Sequence, residues 1–191
     1  MKRIAFTLLT LAVCIGFSGC ESPPKMESDD SMFDYMQEEV AKIVEKGGLA
    51  EVGIAESRNT QLAITKAKVE ARKNLAQLVR VKIENLEKAF IEEVGEASGS
   101  EINELFSSAT KQITSQTLQG TVPKMQKYET DDGITTAYIL MVLNPDIIDA
   151  SLKNNNSAKH LYERFRASKA FEELDKEIKE FDEAERAGYL N

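Results

Sequence analysis

The sequence is poor in the side chains that carry out chemistry. Of its 191 residues, 1 is histidine, 2 are cysteine, 4 are proline and none is tryptophan. The lone histidine, His160, opens a charged segment, where solvation is its ordinary state and a general-base role would need partners the chain lacks. Without a second imidazole, the usual nitrogen-and-sulfur zinc site cannot be assembled. Glycine loops that cradle phosphate and the Gly-x-Ser-x-Gly elbow are both missing. Asp131-Asp132-Gly133 lacks the alternating oxygen ligands of a calcium loop and reads as a turn. Positive charge is also short: 24 Lys and Arg stand against 32 Asp and Glu, for a net charge of −8. That balance disfavours phosphate backbones and anionic lipid, so nucleic acid is not an expected partner. No apolar run reaches the roughly 18 residues of a membrane span. The sequence implies no cofactor and no metal, and it gives no sign of an enzyme.

What is present begins at the N-terminus. Lys2 and Arg3 form a positive head, Ile4 to Ile15 an apolar run broken only by Thr7 and Thr10, and Gly16 to Gly19 a mostly small-residue approach to a cleavage point. Phe17-Ser18-Gly19-Cys20 then resembles the lipobox of bacterial lipoproteins, where an apolar residue and two small ones precede an obligatory cysteine. The thiol is the nucleophile that accepts the diacylglyceryl group, and small neighbours let a peptidase approach the backbone. Residues 1–19 are thus expected to be a lipoprotein signal peptide. Cys20 is expected to be the lipidated residue, carrying two or three palmitate-type acyl chains. One chain binds a membrane marginally and two hold it. Cys14 would leave with the signal, so a lone cysteine remains, which acylation explains. Removing Lys2 and Arg3 takes the net charge to −10. Residues 20–31 hold Pro23, Pro24 and four acids against one apolar residue, and read as a flexible tether of roughly 35 Å if extended.

The rest, residues 32–155, reads as one α+β domain, followed by a C-terminal charged helix over 156–191. From Met32, the residues Phe33, Met36, Val40, Ile43 and Val44 share a helical face that Gly47-Gly48 stops. Leu49 to Ala55 is a short strand containing Gly53. Ser57 or Asn59 caps a long helix running to about Gly95. Its stripe is Ile64, Ala67, Ala71, Leu75, Val79, Ile83, Leu86, Phe90 and Val94, with Glu84 placed to pair with Lys88. Ser98 and Glu101 have capping-box spacing, introducing a shorter helix with Ile102, Leu105, Phe106, Ala109 and Ile113 inward. Thr117 to Glu129 and Ile134 to Leu143 then read as a hairpin about Thr130-Asp131-Asp132-Gly133. Pro123 places the first strand at an edge or a bulge. The second strand is apolar on both faces and needs covering on both. Ile147 to Leu152 reads as a short helix. Asn155-Asn156-Ser157 fits a glycosylation triplet that means little in a bacterial lipoprotein. In the tail, Phe171, Leu174, Ile178 and Phe181 make one seam. Glu173 with Lys176 and Lys179 with Glu183 are placed to pair outside it, and the acids at 172, 173, 175 and 177 form a solvated face. The seam is expected to fold back over Tyr138, Leu140 and Val142; the other course is contact with another chain.

Val52-Gly53-Ile54-Ala55, followed by Ala63, Ala67, Ala71-Arg72 and Leu75-Ala76, resembles the Lpp-twenty family of bacterial envelope lipoproteins and related domains of flagellar T-ring proteins. The likeness covers about Gly48 to Asn144. It implies helices packed on a small antiparallel sheet, and no established enzymatic activity; the long charged tail departs from it. The packing reading of the same residues is that alanines at 63, 67 and 71 let the helix approach the sheet closely, while Gly53 removes the Cβ in its way.

Together these give a lipid-anchored envelope protein with a structural or interaction role, held to a membrane through Cys20 and meeting another envelope protein or a second copy of itself. Glu21, in place of the aspartate that retains lipoproteins at the inner membrane of some enteric bacteria, points to the outer membrane. The alternative is a small-ligand or glycan-binding module, marked by a pocket between sheet and helices with Tyr138 or Tyr128 hydroxyls turned inward.

Overall fold

The computed structural model describes residues 28–95, 99–155 and 158–190. Their order is α1 (Ser28–Glu45), β1 (Leu49–Ser57), α2 (Thr60–Val94), α3 (Gly99–Gly120), β2 (Pro123–Asp131), β3 (Ile134–Leu143), α4 (Asp146–Lys153), α5 (Lys159–Arg166) and α6 (Lys169–Arg186). The class is α+β, with helices packed on an antiparallel sheet of strand order β1-β3-β2. The expected signal peptide (1–19), Cys20, the expected tether as far as Glu27, Ser98 and Asn156-Ser157 lie outside the described residues.

Helix α2 organises the molecule. Asn59 caps it by accepting from the Leu62 backbone N–H, and Gly95, at φ 84°, ends it. Its stripe from Ile64 to Phe90 is buried at every expected position, and Val94 packs at the rim. The N-terminal half crosses the sheet on alanines. A Cβ on Gly53 would stand 2.2 Å from the Ala67 carbonyl oxygen and 2.2 Å from the Ala71 nitrogen. Glycine is therefore required here by close backbone approach. The C-terminal half packs on α3 and the tail. Phe90, Phe106 and Phe165 surround one another, with Phe165 edge-on to both partners at 5.5 and 5.4 Å. This arrangement suits the aromatic quadrupole.

The hairpin closes through a two-residue loop. Asp132 at φ 44° and Gly133 at φ 73° supply the positive φ pair of a type I′ turn. Pro123 lies on the outer strand and at the register shift between Pro123 and Met125, so both sequence expectations for it hold.

Several expectations need correction. The segment read as a tether through Ser31 is already helical from Ser28. Phe33 and Val44 are exposed, while Met36 and Ile43 are the deeply buried ones among the described side chains of α1. The contact on the sheet is narrower than the helix's apolar face. Thr117 to Gly120 belongs to α3, not to a strand. Thr117 is one turn beyond Ile113 on the buried stripe, and burial outweighs the β preference of its branched side chain. Thr121 Oγ1 then donates to the Thr117 carbonyl at 2.7 Å, and Arg72 Nη2 to the Thr121 carbonyl at 3.0 Å. Glu84 meets Arg80 at 3.7 Å instead of Lys88. The tail is two helices, because Ser168 turns the chain: its hydroxyl accepts from the Phe171 N–H as an N-cap. On α6 the pairs are Lys176–Glu180, Lys179–Asp175 and Arg186–Asp182.

The tail folds back, though not as a lid on the second sheet face. That face, with Ala50, Val52, Tyr138 and Leu140, is covered mainly by Met36 and Ile43 of α1, and α6 adds Phe181. Phe171 and Leu174 belong to the main core beside α2. Lys82 of α2 bonds Glu177 of α6 across the same seam.

Candidate functional site

The chemistry expected of Cys20 lies outside the described residues, and the described chain bears on it only through the position of α1. That helix starts at Ser28 and rests on the second sheet face. Seven residues lie between its start and Cys20, eight steps of chain that reach at most roughly 28 Å when fully extended.

Where α2 crosses the sheet at Gly53, no space is left for a ligand between them. Gly53 leaves no room even for a methyl group against α2, and Ala63, Ala67, Ala71 and Ala137 are fully buried. Tyr138 is buried, whereas Tyr128 is 56 % exposed. Tyr128 stands opposite Ala137 in the ladder, so the two tyrosines project from opposite faces of the sheet. They cannot line one site.

Several open clefts lie on the surface of the described residues, and two of them gather acidic side chains with other polar groups. The first, of about 440 Å³, runs between α3 and the start of α5 and is lined by Glu101, Glu104, Gln112, Ser151 and His160 among others. His160 Nε2 stands 3.5 Å from Glu101 Oε2, with both side chains 67 % exposed. A pair so open to water contributes little, and His160 is the solvated residue expected. The second, of about 390 Å³, lies at the hairpin tip among Glu56, Glu129, Asp131, Asp132, Thr130 and Thr136. Among the described residues, no group of three or more His, Cys, Asp or Glu could hold a metal ion. The cleft contains one unsatisfied atom, Glu129 Oε2, which is buried without a hydrogen-bond partner. No sequence signal marked Glu129; its state depends on strand register.

Shifted ionisations are scattered rather than gathered. Burial pushes the Tyr162 phenol up to about 12, helped by its 2.9 Å hydrogen bond to Asp149. Burial raises Asp146, and Asp182 adds to the shift. Glu51 is raised by burial, offset in part by a hydrogen bond from the Val52 N–H. A carboxyl raised in the folded state favours folding below its unfolded pKa, and that contribution is lost as pH rises through the folded value. Glu51→Gln is therefore expected to raise the melting temperature at pH 7. The gain should shrink to nothing below about pH 4, the range of an unperturbed glutamate. Thermal melts of both proteins across pH 3 to 8 check this; a gain that persisted at low pH would point to a packing effect instead.

Among the described residues, no helix is long and apolar enough to cross a membrane. Comparison with protein-family models, with curated proteins and with solved structures gave no match.

Proposed function

We propose that this chain is a bacterial envelope lipoprotein, acylated on Cys20, whose α+β domain serves a structural or protein-interaction role and not catalysis. The observation that carries the reading is the N-terminal signature: Lys2-Arg3, the apolar run Ile4 to Ile15, and Phe17-Ser18-Gly19-Cys20 in register. The start of α1 at Ser28 supports it, since a folded body then begins close behind the anchor. The close contact of α2 on the sheet at Gly53 speaks for an interaction module over a ligand-binding one. A glycine-centred strand under an alanine-striped helix, with a hairpin after it, is the arrangement implied by the resemblance to the Lpp-twenty family. It supports placing the domain beside that family. Glu21 supports the outer membrane as its address.

The test is Cys20→Ser. An alcohol cannot replace the thiol in acyl transfer, so the variant is expected to stay unprocessed or be released, and to leave the detergent phase on partitioning. Membranes separated by density should show the native protein with outer-membrane markers. A variant that still entered the detergent phase would remove the anchor.

A further inference from the structure

Strand β2 is the outer strand on one side of the sheet, and among the described elements only β3 packs extensively against it. The side chains of Gln126, Lys127, Tyr128 and Thr130 are at least partly open to solvent. The hairpin fixes which of its backbone groups are free. With Asp132-Gly133 as a two-residue loop, Asp131 and Ile134 form a hydrogen-bonded pair, and bonded and non-bonded pairs alternate from there. Glu129 and Lys127 therefore bond to β3. The N–H and C=O of Gln126, Tyr128 and Thr130 face away from it. Carried across β3, the same alternation turns Val52 outward on β1. There Asn74 Nδ2 donates to the Val52 carbonyl at 3.1 Å, in keeping with that alternation. The β1 edge is thus stoppered at Val52 by a side chain of α2.

An edge strand that pairs antiparallel with its own copy must match outward residues with outward residues. Centring the two-fold axis on Lys127 or Glu129 sets like charges directly opposite, and centring it on Thr130 sets Glu129 against Asp131. Centring on Gln126 sets Lys127 against Met125. Centring on Tyr128 alone sets Lys127 of each copy against Glu129 of the other. Both pairs fall at non-hydrogen-bonded sites, where Cα atoms approach to about 4.5 Å and side chains stand closest. The single chain leaves Glu129 Oε2 unsatisfied and Tyr128 more than half exposed, and this register answers both. From this self-complementarity we infer that two copies of the chain join through their β2 strands, antiparallel and centred on Tyr128, into one continuous sheet. Lysine on an edge discourages indiscriminate pairing; here it selects a strand that offers an acid two residues further on. The inference names a partner for the interaction role proposed above and does not depend on the lipid anchor.

The test uses the chain from residue 20 onward carrying Cys20→Ser, so that neither lipid nor a disulfide joins copies. Sedimentation velocity up to millimolar concentration is expected to show a concentration-dependent dimer. Tyr128→Pro removes an outward N–H and leaves the β3 ladder intact. It should weaken the dimer at least about tenfold with the melting temperature little changed. Lys127→Glu alone should abolish the dimer, and Lys127→Glu with Glu129→Lys should restore it. The exchange pair needs no backbone change, so it decides the matter if the proline variant fails to fold. A chain monomeric throughout, a dimer indifferent to Tyr128→Pro in a folded protein, or an exchange variant that does not regain association would each overturn the inference. Loss of the anchor is read separately, on Cys20 by detergent partitioning, so either reading can fail without the other.

Discussion

Gly53→Val is expected to leave the domain unfolded at room temperature, and Gly53→Ala to lower its stability by about 3 kcal/mol or more. Ordinary overpacking costs about 1–3 kcal/mol because neighbouring side chains can shift. Here the atoms met by a new Cβ are backbone: the Ala67 carbonyl oxygen at 2.2 Å, the Ala71 nitrogen at 2.2 Å and the Ala71 Cα at 2.8 Å. They are held by the hydrogen-bond ladder of α2, so the helix must lift as a body. Lifting it would uncover Ala63, Ala67, Ala71 and Leu75, all fully buried, and break the bond from Asn74 to the Val52 carbonyl. A single domain has only about 5–15 kcal/mol to lose. Ala71→Trp attacks the same contact from the helix side and should end alike. Gly99→Ala is the control. A Cβ there meets nothing within 4 Å, so its melting temperature should stay close to that of the parent. Circular dichroism and thermal melts of the variants decide it. A folded, stable Gly53→Val protein would mean that helix and sheet are farther apart than these contacts allow.

That contact was legible in the sequence because it is encoded twice, by a glycine inside a strand and by alanines four apart on the following helix. The stripe of α2 was legible for a similar reason: apolar steps of three and four over many turns have one reading. The hairpin tip was marked by residues that tolerate positive φ. What escaped depended on tertiary contacts. Thr117 carries a strand preference that burial beside Ile113 overrides, and local composition cannot report that. The break between α5 and α6 rests on one hydroxyl, Ser168, inside a charged stretch where a serine is as easily a surface residue. Phe33 and Val44 fall on the apolar face of α1, yet a three-stranded sheet is too narrow to cover them. The candidate sites divide in the same way. The lipidation proposed at Cys20 rests on linear sequence alone, so that candidate is visible without a fold. The free edge of β2 and the unsatisfied oxygen of Glu129 become visible only once register is fixed, because shifting a strand by one residue exchanges its two faces.

Leu174→Asp is the second large effect expected, and it tests what the tail is for. The seam of Phe171, Leu174, Ile178 and Phe181 could have served another chain, with the domain indifferent to it. Instead Leu174 is fully buried in the main core. Phe171 meets Phe165 edge-on at 5.6 Å, and Arg166 stands 5.3 Å over the Phe171 ring. The α5–α6 corner is thus packed on the aromatic group that also joins α2 and α3. Removing a buried leucine side chain costs about 2–5 kcal/mol, and a carboxylate in its place adds the penalty of an unpaired buried charge. The nearby pair Lys82–Glu177 gives no relief, because its lysine is already engaged. The melting temperature should therefore fall by well over ten degrees, or the protein should fail to fold, with association lost only as a consequence of unfolding. Changes outside the seam such as Lys176→Ala should do almost nothing, since the Lys176–Glu180 pair is open to solvent. Calorimetry and sedimentation on both variants separate the cases. If Leu174→Asp kept its melting temperature and lost only self-association, α6 would be a contact surface. The pairing edge would then have to be sought there and not on β2.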